Sequence, residues 1–210
     1  MSEPTRPSIV LGSHNPGKLR EVQAVLANLP ADLRSLDAFP HAQPPEETGE
    51  TFAENARLKA TELACQLGTW VLADDSGLCV DALGGRPGVH SARYAGPGAT
   101  DEEKVATLLG ELNAIDVPDR GARFVCALAL ASPDGVALEI EEACRGHITR
   151  HPRGANGFGY DPVFLYPDFG ATFAEVSAEA KNSVSHRGRA LRALAERLPA
   201  ILAASERERE

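Results

Sequence analysis

A mixed α/β fold is predicted by three features of the chain. Residues 8–29 read as strand, turn-rich loop and helix; residues 51–73 read as a capped helix followed by an apolar strand; residues 124–148 read as a long antiparallel hairpin. The order includes a hairpin region, so it is not a regular βαβ series. At 210 residues the chain can bury a full core. Length alone allows one domain or two intimate lobes, and the absence of internal repeats or a true linker favours one compact unit.

Composition narrows the function classes. Hydrophobic content of 43% and charged content of 24% suit a soluble globular protein, and no apolar stretch is long enough to span a bilayer. Residues 1–7 are polar, with two prolines and no apolar core of a signal peptide, so a cytoplasmic location is expected. Cys65, Cys79, Cys126 and Cys144 are widely spaced and form no CxxC pair; core thiols are expected, not a disulfide or zinc site. A net charge of -9 argues against a polymeric nucleic-acid partner, which needs a basic face, but leaves room for a small anion held by local cations. Of the 21 basic residues only Lys18, Lys59, Lys104 and Lys181 are lysine. A lysine in so arginine-rich a chain points to a place that needs a compact ammonium, although Lys104, on an acidic helix start, reads as surface.

The first element is an apolar strand at residues 8–11. Gly12-Ser13-His14-Asn15-Pro16-Gly17 is then a turn-rich loop, and Leu19, Val22, Val25, Leu26 and Leu29 recur at helical spacing up to Pro30. Strand, glycine loop and helix N-terminus make an anion site, with backbone N–H groups and the helix dipole facing the same point as Lys18. The spacing meets most of a P-loop, yet Leu19 stands where Ser or Thr would hold magnesium. An ordinary strand-to-helix turn is the alternative.

Residues 51–67 form a helix with a Thr51-x-x-Glu54 capping box and a stop at Gly68. Lys59 falls within the stripe of Phe52, Ala56, Leu63 and Leu67, where a lysine either snorkels outward or meets an anion. Upstream, Glu46, Glu47 and Glu50 lie in a loop that is either solvated or part of a magnesium shell. The apolar run of residues 70–73 reads as a buried strand, so Asp74-Asp75-Ser76-Gly77 should emerge at its end. Two adjacent carboxylates there suit a metal site, a general base or a plain turn.

Residues 78–83 read as another strand-like segment, followed by a sharp loop from Gly84 to Gly88. Thr100 to Glu103 cap a helix carrying Val105, Leu108, Leu109 and Leu112, and the hairpin turns around Pro133-Asp134-Gly135. In Gly154-Ala155-Asn156-Gly157-Phe158-Gly159-Tyr160-Asp161-Pro162 the glycines let backbone approach a flat ligand, and Phe158 either stacks on a base or plugs the core. Lys181, His186 and Arg187 precede a final helix with Leu191, Leu194 and Leu198; they suit phosphate or base-edge contacts, or simply an exposed helix start. Residues 204–210 read as a charged, frayed tail and residues 1–7 as a flexible start, leaving 8–203 as the single domain that carries the motifs.

Together these motifs resemble the inosine triphosphate pyrophosphatase family, and within it the bacterial dITP/XTP pyrophosphatases. The match is carried by Ser13-x-Asn15-x-x-Lys18, Glu46-Glu47-Thr48-Gly49 with Phe52-x-Glu54-Asn55-Ala56-x-x-Lys59, Ala73-Asp74-Asp75-Ser76-Gly77-Leu78, Gly84-Gly85-x-Pro87-Gly88, Gly157-Phe158-Gly159-Tyr160-Asp161-Pro162 and Lys181-x-x-x-Ser185-His186-Arg187. The resemblance implies a two-lobed α/β fold with an elongated mixed central sheet flanked by helices, an active-site cleft between the lobes, and a homodimer. It also implies hydrolysis of abnormal purine nucleoside triphosphates (ITP, dITP, XTP) to monophosphate and pyrophosphate with Mg²⁺. Ser13, His14, Asn15, Pro16, Gly17 and Lys18 would bind the triphosphate, with Lys59 beside it. Asp75 would be the proton acceptor and a metal ligand with Glu46 or Glu47, and Asp74 would support it. Ser76 would touch substrate, Phe158, Gly159, Tyr160 and Asp161 would enclose the base, and Lys181, His186 and Arg187 would read its six-position oxygen. A P-loop-type kinase, which Leu19 argues against, and a nucleotide sensor, which would not need Asp74 and Asp75, are the rival readings.

Overall fold

The computed structural model describes residues 6–29, 31–115 and 117–207. Seven strands, β1 (Ser8–Leu11), β2 (Asp32–Ser35), β3 (Trp70–Val80), β4 (Gly121–Ser132), β5 (Gly135–Ile148), β6 (Phe164–Tyr166) and β7 (Ala171–Thr172), form one sheet in the order β2-β1-β3-β4-β5-β6-β7. The α-helices are α1 (Pro16–Val25), α2 (Phe52–Leu67), α3 (Asp101–Ala114), α4 (Ala178–Val184) and α5 (His186–Arg207). β1 runs parallel to both β2 and β3, pairing Ile9 with Leu33 and with Trp70, whereas β5, β6 and β7 pair antiparallel. The sheet is therefore mixed, as the combination of a strand–loop–helix start and a later hairpin predicts.

The chain divides into two compact units. The first holds the described residues up to Asp75, Ala127–Glu141 and those from Gly188 onward; the second holds Ser76–Cys126 and Glu142–Arg187. In the first, Ile9, Val10, Leu11, Leu63, Val71, Leu72, Leu191 and Leu194 are buried. α2 forms as its caps dictate: Thr51 accepts from the Glu54 N–H, Glu54 reaches back, and Gly68 closes the helix at φ 63 in the left-handed region. In the second, Leu78, Val80, Leu108, Leu112, Phe124, Phe164 and Phe173 share one apolar cluster. Thr100 and Glu103 cap α3 by the same reciprocal pattern.

Four expectations change. Asp74 and Asp75 do not emerge at a strand end, and residues 78–80 are not a separate strand: β3 runs unbroken for 11 residues from Trp70 to Val80. α1 ends at Val25, short of Leu29; Pro30 lies outside the described residues. Lys181 belongs to its own short helix α4, which extended Ser185 (ψ 157) separates from α5. α5 continues to Arg207, into the stretch read as a tail; residues 1–5 and 208–210 lie outside the described residues. β2, β6 and β7 carry too few residues for a period-2 pattern to register.

Candidate active site

α2 and β3 build the centre of the first unit. Asn55 and Lys59 are one helical turn apart, and both are buried, at 1% and 7% exposure. Lys59 Nζ donates to Asp75 Oδ1 at 2.9 Å, to Glu47 Oε1 at 2.8 Å and to the Asp74 carbonyl at 2.9 Å. Of the two fates open to a lysine in an apolar stripe, this one meets anions. Asn55 Nδ2 donates to the other Asp75 oxygen at 3.3 Å, and Asn55 is itself held by the Gly49 N–H, which donates to its Oδ1 at 2.8 Å. Asp74 pairs instead with Lys18. Successive side chains of a strand leave opposite faces, so each carboxylate has its own ammonium in place of one cation shared between them.

Burial pushes the Asp75 carboxyl above the ordinary aspartate range; Lys59 and Lys18 pull it back without cancelling that effect, and the Glu47 charge adds to it. Burial acts to lower Lys59, but the Asp75 and Glu47 charges outweigh it and hold the ammonium charged. A buried carboxylate with a raised proton affinity, both oxygens held in place, has the character of a general base.

The loop before α1 differs from the expected anion cradle in its donors. Asn15 is the N-cap, and its Oδ1 accepts from the Gly17 and Lys18 N–H groups at 2.9 and 3.1 Å, while the Ser13 and Gly12 amides bond to the Leu11 and Leu72 carbonyls. Those helix-terminal N–H groups are thus spent on the cap. Pro16 opens the helix, where no N–H is needed. What the loop offers an anion is Lys18, the Ser13 hydroxyl and the dipole. His14 pairs with Asp37 at 2.8 Å, both exposed.

Of the two candidate loop acids, Glu47 joins the cluster and Glu46 is exposed. Among the described residues no three acids, imidazoles or thiols gather into a preformed metal cage. Asp75 and Glu47 nonetheless bring carboxylate oxygens to the same Nζ, so those oxygens lie close together. The donor set fits Mg²⁺, which takes one or two carboxylates and completes its shell with water and phosphate.

The second unit gathers the aromatic and cationic residues. Gly157 (φ 76) and Gly159 (φ 62) turn the chain around half-buried Phe158, and a Cβ on Gly157 would come within 2.0 Å of Asp161 Oδ2. Asp161, 1% exposed, accepts from the Phe158 N–H at 2.9 Å and from Lys181 Nζ at 2.5 Å. Lys181 Nζ and the Arg187 guanidinium lie 4.7 and 5.7 Å from the Phe158 ring centre. Phe158 is therefore a ring with cations over it and not a core plug. Arg187 also donates to Ser76 Oγ at 2.6 Å, and His186 stacks on Phe124 at 4.8 Å and 12°. Gly159 N–H donates to Asp101 at 2.6 Å, and the Tyr160 hydroxyl donates to the Ser91 carbonyl at 2.9 Å.

The family model described as "Ham1 family" matches residues 9–197. The chain belongs to the Ham1 family. Its relatives include a dITP/XTP pyrophosphatase of Geobacillus kaustophilus, 50% identical and covering 92% of this chain and 95% of that protein, and one of a Nostoc species, 51% identical over 94% and 97%. A solved HAM1 protein from Coxiella burnetii, 45% identical, aligns with a TM-score of 0.85 over 92% of this chain and 99% of its own.

In this Ham1 chain the first unit brings together Lys18, Lys59, Asp74, Asp75 and Glu47, and leaves Glu46 and His14 outside that group. The second brings together Ser76, Phe158, Asp161, Lys181 and Arg187, with Asp161 facing inward as a brace. Tyr160 is buried and ties the loop to Ser91. Two residues escape sequence reading. Asn55 sits in the quoted motif, and a lone amide on an otherwise buried stripe was the signal for it. Asp101 looks like an ordinary first-turn acid, and nothing local distinguishes it.

Proposed function

We propose that this chain is a purine nucleoside-triphosphate pyrophosphohydrolase that converts ITP, dITP and XTP to the monophosphate and pyrophosphate, removing them from the nucleotide pool. The observation that carries the reading is Asp75: a buried carboxylate with raised proton affinity, fixed by Lys59 and Asn55 in a chain whose relatives bear that activity in their names. Asp75 takes the proton of the attacking water as the new P–O bond forms and the bridge between α- and β-phosphate breaks, pyrophosphate carrying away the electron pair. Lys18 and Lys59 offset charge that develops on the phosphate oxygens. Mg²⁺, held by Asp75 and Glu47, would supply further neutralisation of that charge. Ser76, Phe158, Lys181, His186 and Arg187 serve the base end, where donors aimed at a six-keto oxygen would be left unpaired against the amino group of adenine. A cytoplasmic homodimer is the expected form, and light scattering reads the assembly directly.

The test offers ITP, dITP, XTP, ATP and GTP with Mg²⁺ and quantifies pyrophosphate against orthophosphate, for the wild type and Asp75→Asn. Pyrophosphate should be the product, with ATP the poorest substrate. Asp75→Asn should lose at least about a hundredfold in kcat while still binding nucleotide. Orthophosphate as the main product, or an Asn variant with normal turnover, would refute the reading.

A further inference from the structure

We propose that Asp101 is a positioning residue that latches the Phe158 loop and thereby sets how tightly the purine base is held. The inference rests on the reading of Phe158 as a base-enclosing residue. A loop with glycines at φ 76 and φ 62 on either side of Phe158 has little stiffness of its own, since glycine lets the backbone explore more states than any other residue. Its geometry must be imposed from outside. Before the ring, the Ala155 and Asn156 N–H groups donate to the Ala174 carbonyl. At the ring and the two residues after it, three bonds that involve a side chain act: the Phe158 N–H to Asp161, the Tyr160 hydroxyl to the Ser91 carbonyl, and the Gly159 N–H to Asp101 Oδ2 at 2.6 Å. The first is internal to the loop. The Asp101 bond spans 58 residues of sequence and seizes the backbone immediately after the ring.

Asp101 is well placed to be a fixed point. It is the first residue of α3, whose Thr100–Glu103 capping box holds that helix start in register, and a helix N-terminus favours a carboxylate. Lys104, one turn on, pairs with the other oxygen, Oδ1, at 2.6 Å and is itself largely covered, its side chain 13% exposed. This accounts for the one lysine that the sequence left as plain surface. The Lys104 ammonium and the Gly159 N–H outweigh the effect of partial burial and hold the Asp101 carboxyl below the usual range, so the latch is an ionised acceptor. Both Asp101 oxygens are taken up within the protein, by the Gly159 N–H and by Lys104, so its action on the base runs through the loop.

A latch of this kind alters binding of the base without altering bond cleavage, so its loss should appear in KM and leave kcat in place. Steady-state hydrolysis of ITP with Mg²⁺ is measured for Asp101→Ala, Asp101→Ser and Asp101→Asn, with amide hydrogen exchange on the peptide covering residues 154–162. Alanine removes the acceptor; serine suits a helix start yet is too short to reach Gly159, so either variant serves if the other does not fold. Each should raise KM about tenfold with kcat within about twofold, and should speed exchange in the loop. Asparagine retains an acceptor oxygen and should restore KM to within about threefold. Unchanged KM or unchanged exchange in Ala and Ser, or an Asn variant as impaired as they are, would overturn the latch. Absence of pyrophosphate release by the wild type would instead count against the proposed reaction, and the exchange experiment would still decide whether Asp101 holds the loop.

Discussion

Glu46 and Glu47 differ in what surrounds them, and that difference separates their roles. Glu47 reaches Lys59, which also holds Asp75, whereas Glu46 is exposed. If Glu47 completes the Mg²⁺ shell with Asp75, Glu47→Gln should raise the Mg²⁺ concentration for half-maximal ITP hydrolysis about tenfold or more, since ligand charge sets affinity for a hard cation. Glu46→Gln should leave that concentration unchanged. The reverse result in a magnesium titration would exchange the two assignments. The residues themselves do not separate the two acids, because both sit in one loop and only the fold brings Glu47 to Lys59. Lys59 was legible in part: helical periodicity places it on an apolar stripe but leaves snorkelling and an anion partner both open. Its partners come from 12 and 16 residues away, a distance that no spacing rule covers.

At the scale of elements, what was local was readable. Both capping boxes and the Gly68 stop depend on residues within one turn, and α2 and α3 begin as expected. β3 was misread as two pieces because Asp74-Asp75-Ser76-Gly77 looks like a turn when its partners are out of view. Lys18, Lys59 and Asn55 satisfy the acids from other elements, and Ser91 bonds to the strand just past Gly77 through the Leu78 N–H at 2.9 Å. Gly77 is in this strand for want of space and not for a turn. A Cβ there would lie 2.3 Å from Ser91 Oγ and 2.7 Å from the Gly88 carbonyl oxygen. The second contact is with backbone, which cannot swing away. Gly77→Ala should therefore destabilise the fold by about 1–3 kcal/mol, the usual cost of overpacking. Adding Ser91→Ala should not recover it, since the Gly88 carbonyl and Ser91 Cβ contacts remain and the buried Leu78 N–H loses its acceptor. Urea unfolding of the single and double variants measures both quantities, and an unchanged midpoint for Gly77→Ala would show that β3 yields there.

For the whole molecule, the lysine bias proved more informative than net charge. Lys18, Lys59 and Lys181 each pair with a carboxylate inside a cluster, and Lys104 pairs with Asp101, so all four stand where a fixed ammonium is used. Net charge bears on a different question, namely which anions the protein accepts. With 30 acidic against 21 basic residues, attraction to phosphate comes from a few ammonium and guanidinium groups acting at short range, while the molecule as a whole repels a polyanion. In about 0.1 M salt charges are screened beyond about 10 Å, so only an anion bound close to a cluster would feel its lysines. A long nucleic acid must neutralise many phosphates along an extended basic face to release its counterions. Titration of a labelled 20-nucleotide single strand in about 0.15 M salt should accordingly show no binding up to about 10 μM protein, and unlabelled strand should not inhibit ITP hydrolysis. Saturable binding at or below about 1 μM, or inhibition by the strand, would mean that the basic residues form a continuous surface track, and the exclusion of polymeric partners would fall with it.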